Sequence, residues 1–115
     1  MHKHSRERRK YKRVAAKVLI KYGNAEQFFT DYIQNISRGG IFVPTYNPLP
    51  QGTHLQISFS LPFWDRLIET EGRVVHSIHT DPGQGTEPAG MGIQFQALSE
   101  ENLKLIDTYV NSMLK

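Results

Sequence analysis

At 115 residues without cysteine, the chain has the length of one domain and can form neither disulfides nor thiolate metal centres. No apolar run reaches the roughly 18–20 residues needed to cross a bilayer, and residues 1–13 lack an apolar signal-peptide core, so a soluble, cytoplasmic protein with no membrane span is expected. The net charge of +3 conceals an asymmetry: residues 1–13 hold seven Lys and Arg against the single acid Glu7, whereas residues 14–115 hold seven basic against ten acidic side chains. Dense like charge with few apolar groups cannot support a packed core, so residues 1–13 read as a flexible basic arm suited to meeting anions. Residues 14–115 read as one mildly acidic folded domain.

After the arm, Val14, Ala16, Val18 and Ile20 alternate with Ala15, Lys17, Leu19 and Lys21, the period of a strand with one buried face. Gly23-Asn24 marks a turn, Phe28 to Ile36 resumes the strand pattern, and Ile41 to Thr45 follows a polar corner. Pro44, Pro48, Pro50 and Gly52 make residues 46–53 a loop. A strand from His54 to Leu61 places Leu55, Ile57, Phe59 and Leu61 on one side, and Pro62-Phe63-Trp64-Asp65 connects it to a long strand from Arg66 to Ile78. In that strand Val74 and Val75 sit near the centre, Glu69, Glu71 and Arg73 alternate outward, and Gly72 marks a bulge or a close approach. Residues 79–90 read as a mobile surface loop, and Met91 to Phe95 gives one more strand.

The period changes at the C-terminus. Ser99 is a helix N-cap, Glu100 and Glu101 lie in the first turn, and Leu98 with Leu103 fits a hydrophobic staple. Leu103, Ile106, Val110 and Met113 then form one apolar face of a helix over about residues 99–114. Such a helix either packs on the sheet or closes one mouth of it. About six strands followed by one helix indicate an all-β domain, a small six-stranded antiparallel barrel with a C-terminal helix.

The corner Asn35-Ile36-Ser37-Arg38-Gly39-Gly40 between two strands is the most distinctive stretch. Its adjacent glycines can reach positive φ and admit another group close to the main chain, and Asn35 and Ser37 present short donors and acceptors beside them. That chemistry suits a small polar, anionic ligand. Asn35 and Ser37 can equally serve as self-capping turn residues, and Gly39 and Gly40 as a tight turn.

Two motifs resemble a known family. Arg9-Lys10-Tyr11-Lys12-Arg13 matches the RxxxR motif of the PilZ domain family, and Asn35 to Gly40 matches its (D/N)xSxxG motif, in the family's order. Met91 to Phe95 is similar to the family's closing strand, and the resemblance covers nearly the whole chain. It implies a PilZ-like split barrel that binds the bacterial second messenger cyclic di-GMP as a receptor and adaptor, not an enzyme. By this resemblance Arg8, Arg9 and Arg13 grip phosphate and guanine from the arm. Asn35, Ser37, Arg38, Gly39 and Gly40 form the barrel side, with Gly40 keeping the approach free of a Cβ and Arg38 at the rim. Arg8, directly before the motif, is a family feature associated with two intercalated ligand molecules, so the resemblance favours a bound cyclic di-GMP dimer over a single molecule. Asn35 stands where the family often has Asp, and it lacks the second carboxylate oxygen for the guanine N1–H and N2–H groups.

Ligand-driven ordering of the arm, with an altered surface for an unidentified effector protein in motility, biofilm or exopolysaccharide control, is the expected output. A second reading is a PilZ-like interaction module that binds no nucleotide, although such modules tend to lack the arginine motif present here. In a third, the arm contacts DNA or RNA phosphates and Tyr32 or Phe42 stack on bases. The acidic body argues against nucleic acid, which needs basic residues spread over the barrel. His76 and His79 do not share a strand face, so no metal site is expected. No nucleophile, base and orienting acid are grouped, so no catalytic residue and no cofactor is assigned. Phe63 and Trp64 read as core or lid aromatics, and as the first choice for a partner contact if exposed.

Overall fold

The computed structural model describes residues 12–62, 66–79 and 89–114. Arg8 and Arg9, Phe63 and Trp64, and residues 80–88 of the expected loop lie outside the described residues. The chain runs through β1 (Val14–Gly23), β2 (Phe28–Ile36), β3 (Gly40–Pro44), β4 (His54–Ser60), β5 (Leu67–Ile78) and β6 (Gly90–Phe95) to one helix, α1 (Glu100–Met113). The strands form a closed barrel in the order β1-β2-β3-β6-β5-β4, with β4 returning to β1 and every pairing antiparallel.

Local chemistry places the turns. At the β1–β2 hairpin the Asn24 side-chain oxygen accepts the backbone N–H groups of Glu26 (2.9 Å) and Gln27 (3.1 Å), a short polar side chain standing in for backbone. Before β4, Thr53 N–H donates to Pro50 O (3.1 Å) around Gly52, whose φ of +95° is the left-handed conformation that glycine adopts most readily. Gly52 N–H also donates to Val74 O at 2.7 Å and so pins this loop to β5.

The period-2 side chains fill the barrel. Val14, Ala16, Val18 and Ile20 of β1, and Leu55, Ile57, Phe59 and Leu61 on and just after β4, are all buried in one cluster. Two register shifts mark bulges: one in β1 between Ala15 and Val18 against β2, which leaves the in-out alternation of β1 intact, the other in β5 between Val74 and His76 against β6, which breaks it. Gly72 is therefore not the bulge but the close approach, because a Cβ there would run into the side chains of Ile57 and Ile93.

Helix α1 closes one mouth of the barrel. Ser99 caps it by accepting the Asn102 N–H (3.1 Å), and Glu100 and Glu101 occupy the first turn, where the helix dipole favours acids. Its buried residues are Ile106, Tyr109 and Val110, which join the barrel cluster. The expected apolar face needs one correction: Met113 is 50% exposed, because the last turn runs past the core, and Tyr109 takes the inward position. The Tyr109 hydroxyl donates to Ala15 O on β1 at 3.4 Å, and Arg66, just before β5, forms an ion pair with Glu101. These contacts set the helix at the end where β1 begins and β2 passes into β3.

Further along β1, the buried Tyr22 ring stacks on Phe29 (centroids 5.6 Å apart) and its hydroxyl donates to Asp31 Oδ2 at 2.6 Å. Burial above all, then the hydrogen bond and negative charge of Asp31, push this phenol well above its ordinary pKa of 10. The fold thus favours the neutral phenol. Its stabilising contribution is fully present below pH 10 and is lost as the pH rises above that value toward the folded pKa. Thermal melts from pH 7 to about pH 11.5 are expected to show a steeper alkaline fall for the wild type than for Tyr22→Phe, with the variant about 1–2 kcal/mol less stable at pH 7. Parallel alkaline limbs would remove Tyr22 as the cause.

Candidate functional site

Strand β2 carries the corner to the helix-capped end and holds it between two neighbours. Asn35 pairs with Ala15 of β1 on one side and with Phe42 of β3 on the other, so its side chain shares their outward face. Arg13, one residue before β1, is delivered to the same place. Its Nη1 donates to Asn35 Oδ1 at 2.7 Å, a part-buried bond spanning 22 residues of sequence. This bond joins the arginine motif to the corner motif.

The corner is internally braced. Ser37 is 3% exposed, its Oγ accepts the Gly39 N–H (3.1 Å), and its own N–H donates to Gly40 O (2.9 Å). Gly39 O in turn accepts the N–H of Phe95 at the end of β6 (2.9 Å). Ser37 and Gly39 thus shape a tight turn. Neither corner glycine uses the positive φ open to it; among the described glycines positive φ occurs at Gly23 and Gly52. Gly40 is already part of β3, opposite Gln94 of β6, and a Cβ on it would fall on the carbonyl oxygen of Ile93. The space beside Gly40 is claimed by the backbone of β6, so the sheet itself demands glycine there, whatever binds nearby.

Arg38 points to the helix. Its Nε lies 3.3 Å from Asp107 Oδ1, and both side chains are more than a third exposed, so the pair adds little to stability. Its importance is positional, because it ties the corner to α1. Arg13, Asn35, Ser37, Arg38, Gly39 and Gly40 are therefore brought together, whereas Arg8 and Arg9 lie outside the described residues. Asp107 and Tyr109 escaped the sequence reading as neighbours of this corner. The available signal was the spacing of Ile106, Tyr109 and Val110, which share one helix face with Asp107 beside it.

Two other expectations can be placed. The Phe42 ring packs where a Gly90 Cβ would otherwise stand, so it is committed to covering β6, whereas Tyr32 is 55% exposed. His79 Nε2 lies 3.3 Å from Ser77 Oγ, and among the described residues no three His, Asp or Glu side chains are grouped as metal ligands. Also among the described residues, no helix is long and apolar enough to cross a membrane.

The family model of the PilZ domain matches residues 7–112. No curated protein matches the sequence. Among solved structures, the Bacillus subtilis inhibitor of motility (MotI/DgrA) superposes with a TM-score of 0.76 at 25% identity, over 92% of this chain and 51% of that one. The chain thus spans about half the length of that protein. The PilZ domain of Escherichia coli YcgR, solved with c-di-GMP, gives a TM-score of 0.72 at 18% identity, over 92% of this chain and 91% of that one. The longer YcgR structure in complex with c-di-GMP also gives 0.72, at 16% identity, over 91% of this chain and 45% of that one. A sequence match that runs from the basic arm into the helix, together with a barrel of the same architecture, means that this chain belongs to the PilZ domain family.

Proposed function

We propose that the protein is a cyclic di-GMP receptor whose ligand is held between the arginine arm and the β2–β3 corner. The observation that carries this reading is the bond between Arg13 and Asn35, which joins the two motifs at one end of a PilZ barrel. The ligand has two phosphodiester charges, two guanine faces and two edges with N7 and O6 acceptors. A guanidinium meets all three, through its charge, its flat face and its fork of N–H donors, whereas an ammonium meets only the first. Arg13 takes phosphate or a guanine edge while Asn35 offers its amide. Arg8 and Arg9 extend the grip from the arm, and Arg38 adds charge at the rim. Ser37, Gly39 and Gly40 hold the corner in shape.

The resemblance to c-di-GMP-bound YcgR supports the ligand, and the likeness to an inhibitor of motility supports an output in motility. In this reading ligand orders the arm against the barrel and changes the surface offered to an effector protein. The role is that of an adaptor without catalysis. Charge-assisted bonds of roughly 1.5–3 kcal/mol each offset the entropy of ordering several residues. Isothermal calorimetry with cyclic di-GMP is expected to show saturable binding with two nucleotides per chain, and titration with GTP to show none. Absence of cyclic di-GMP binding, or equal heats from GTP, would overturn the proposal.

A further inference from the structure

The outer wall formed by β1, β4 and β5 lies to the side of the corner and has no part in the function proposed above. Its side chains form rows across the strands. Ser60 of β4 pairs with Leu67 of β5, and continuing the β1–β4 register by one residue from the Ile20–Phe59 pair sets Leu19 on the other side of Ser60. Leu19 and Leu67 are 54% and 56% exposed, and Tyr32 of β2, in register with Leu19, is 55% exposed. This is an apolar row, Tyr32, Leu19, Ser60, Leu67, open to solvent. The next row is charged at its ends: Lys21 of β1 pairs with Ser58 of β4, which pairs with Glu69 of β5.

We infer that this wall is an isologous contact between two copies of the chain, related by a two-fold axis running along β4. Such an axis leaves position along the strand unchanged and exchanges β1 with β5. It lays Leu19 on the partner's Leu67, and Lys21 on the partner's Glu69, each twice. Apolar meets apolar and cation meets anion, with no like charges opposed in either row. The residues on the axis, Ser58 and Ser60, are small, which lets two convex barrel walls approach. An unrelated partner would have no reason to find both rows already self-complementary. The wall belongs to a closed barrel of six strands and curves away on both sides of β4, so contact is confined to the strip centred on β4. The contact therefore belongs at the low end of interface size, and the dimer is a weak one.

Sedimentation equilibrium of the full chain without nucleotide, over about 10 μM to 1 mM in low salt, tests this. A concentration-dependent dimer is expected. Lys21→Glu and Glu69→Lys should each weaken it at least tenfold, because each creates two like-charge contacts, and the double variant Lys21→Glu with Glu69→Lys should restore it. Circular dichroism melts establish that each variant is folded, and Leu67→Asp gives an independent disruption should a charge reversal fail to fold. A monomer throughout, a dimer indifferent to the single reversals, or no rescue in the double variant would each overturn the inference.

Discussion

Arg13→Ala is expected to weaken cyclic di-GMP binding by about 30- to 150-fold, the equivalent of about 2–3 kcal/mol, with the barrel intact. In the free protein the substitution removes the part-buried hydrogen bond to Asn35, itself a matter of about 1 kcal/mol or less. Its backbone contribution to the start of β1 is unchanged. The complex loses more, since the guanidinium provides charge, a flat face and a fork of donors together. Arg13→Lys separates these contributions: it retains the charge and should recover only a minor part of the affinity. Calorimetry on the two variants decides the matter. Wild-type affinity in Arg13→Ala would remove the arm from the site, and wild-type affinity in Arg13→Lys would remove the argument from guanidinium geometry.

The second large effect is expected at Gly40, and it is an effect on folding. A methyl group there falls on the Ile93 carbonyl oxygen and 3.2 Å from the Gln94 Cα, both in the backbone of β6. No flexible side chain can swing aside, so β3 must shift from β6 along their shared ladder. Overpacking of this kind costs about 1–3 kcal/mol. In a domain of this size the midpoint of thermal unfolding should fall by on the order of 5–15 °C for Gly40→Ala. Gly92 on β6 provides the contrast: a Cβ there would lie 3.5 Å from the His76 Cβ, an ordinary contact, and Gly92→Ala should melt within a degree or two of the wild type. Equal melting of both variants would show that the β3–β6 approach is not what constrains Gly40.

That contrast shows what was legible in the sequence and what was not. Strict alternation in β1 and in β4 announced the side chains that are buried there, because a strand with one wet face must alternate. In β5 the same rule fails after Val74. The bulge inserts one residue, so His76 pairs with Gly92 on the outer face and Ser77 turns to donate to Leu49 O (3.0 Å). An uninterrupted period would have placed them the other way. Bulges leave little trace in composition, since they are fixed by the pairing partner. The pairings of β3 with β6 and of β1 with β4 are equally non-local, and no window of sequence contains both strands.

At the site, the motifs identified the corner residues but not what each one does. Gly40 looked like room for a ligand and proves to be room for β6. Arg38 looked like a rim charge and is also a tie to Asp107. The resemblance set Arg13 and Asn35 on two sides of one ligand, but their direct bond was not legible in either motif.

The barrel is stitched unevenly. β2 is laced to β1 along nearly its whole length, yet among the described residues it meets β3 in only two register pairs, Asn35 with Phe42 and Ile36 with Ile41. Among the described residues this is the shortest ladder of the barrel. Asn35 sits on one lip of that seam and bonds Arg13, so a nucleotide held by this pair would act as a clasp beside the shortest ladder of the wall.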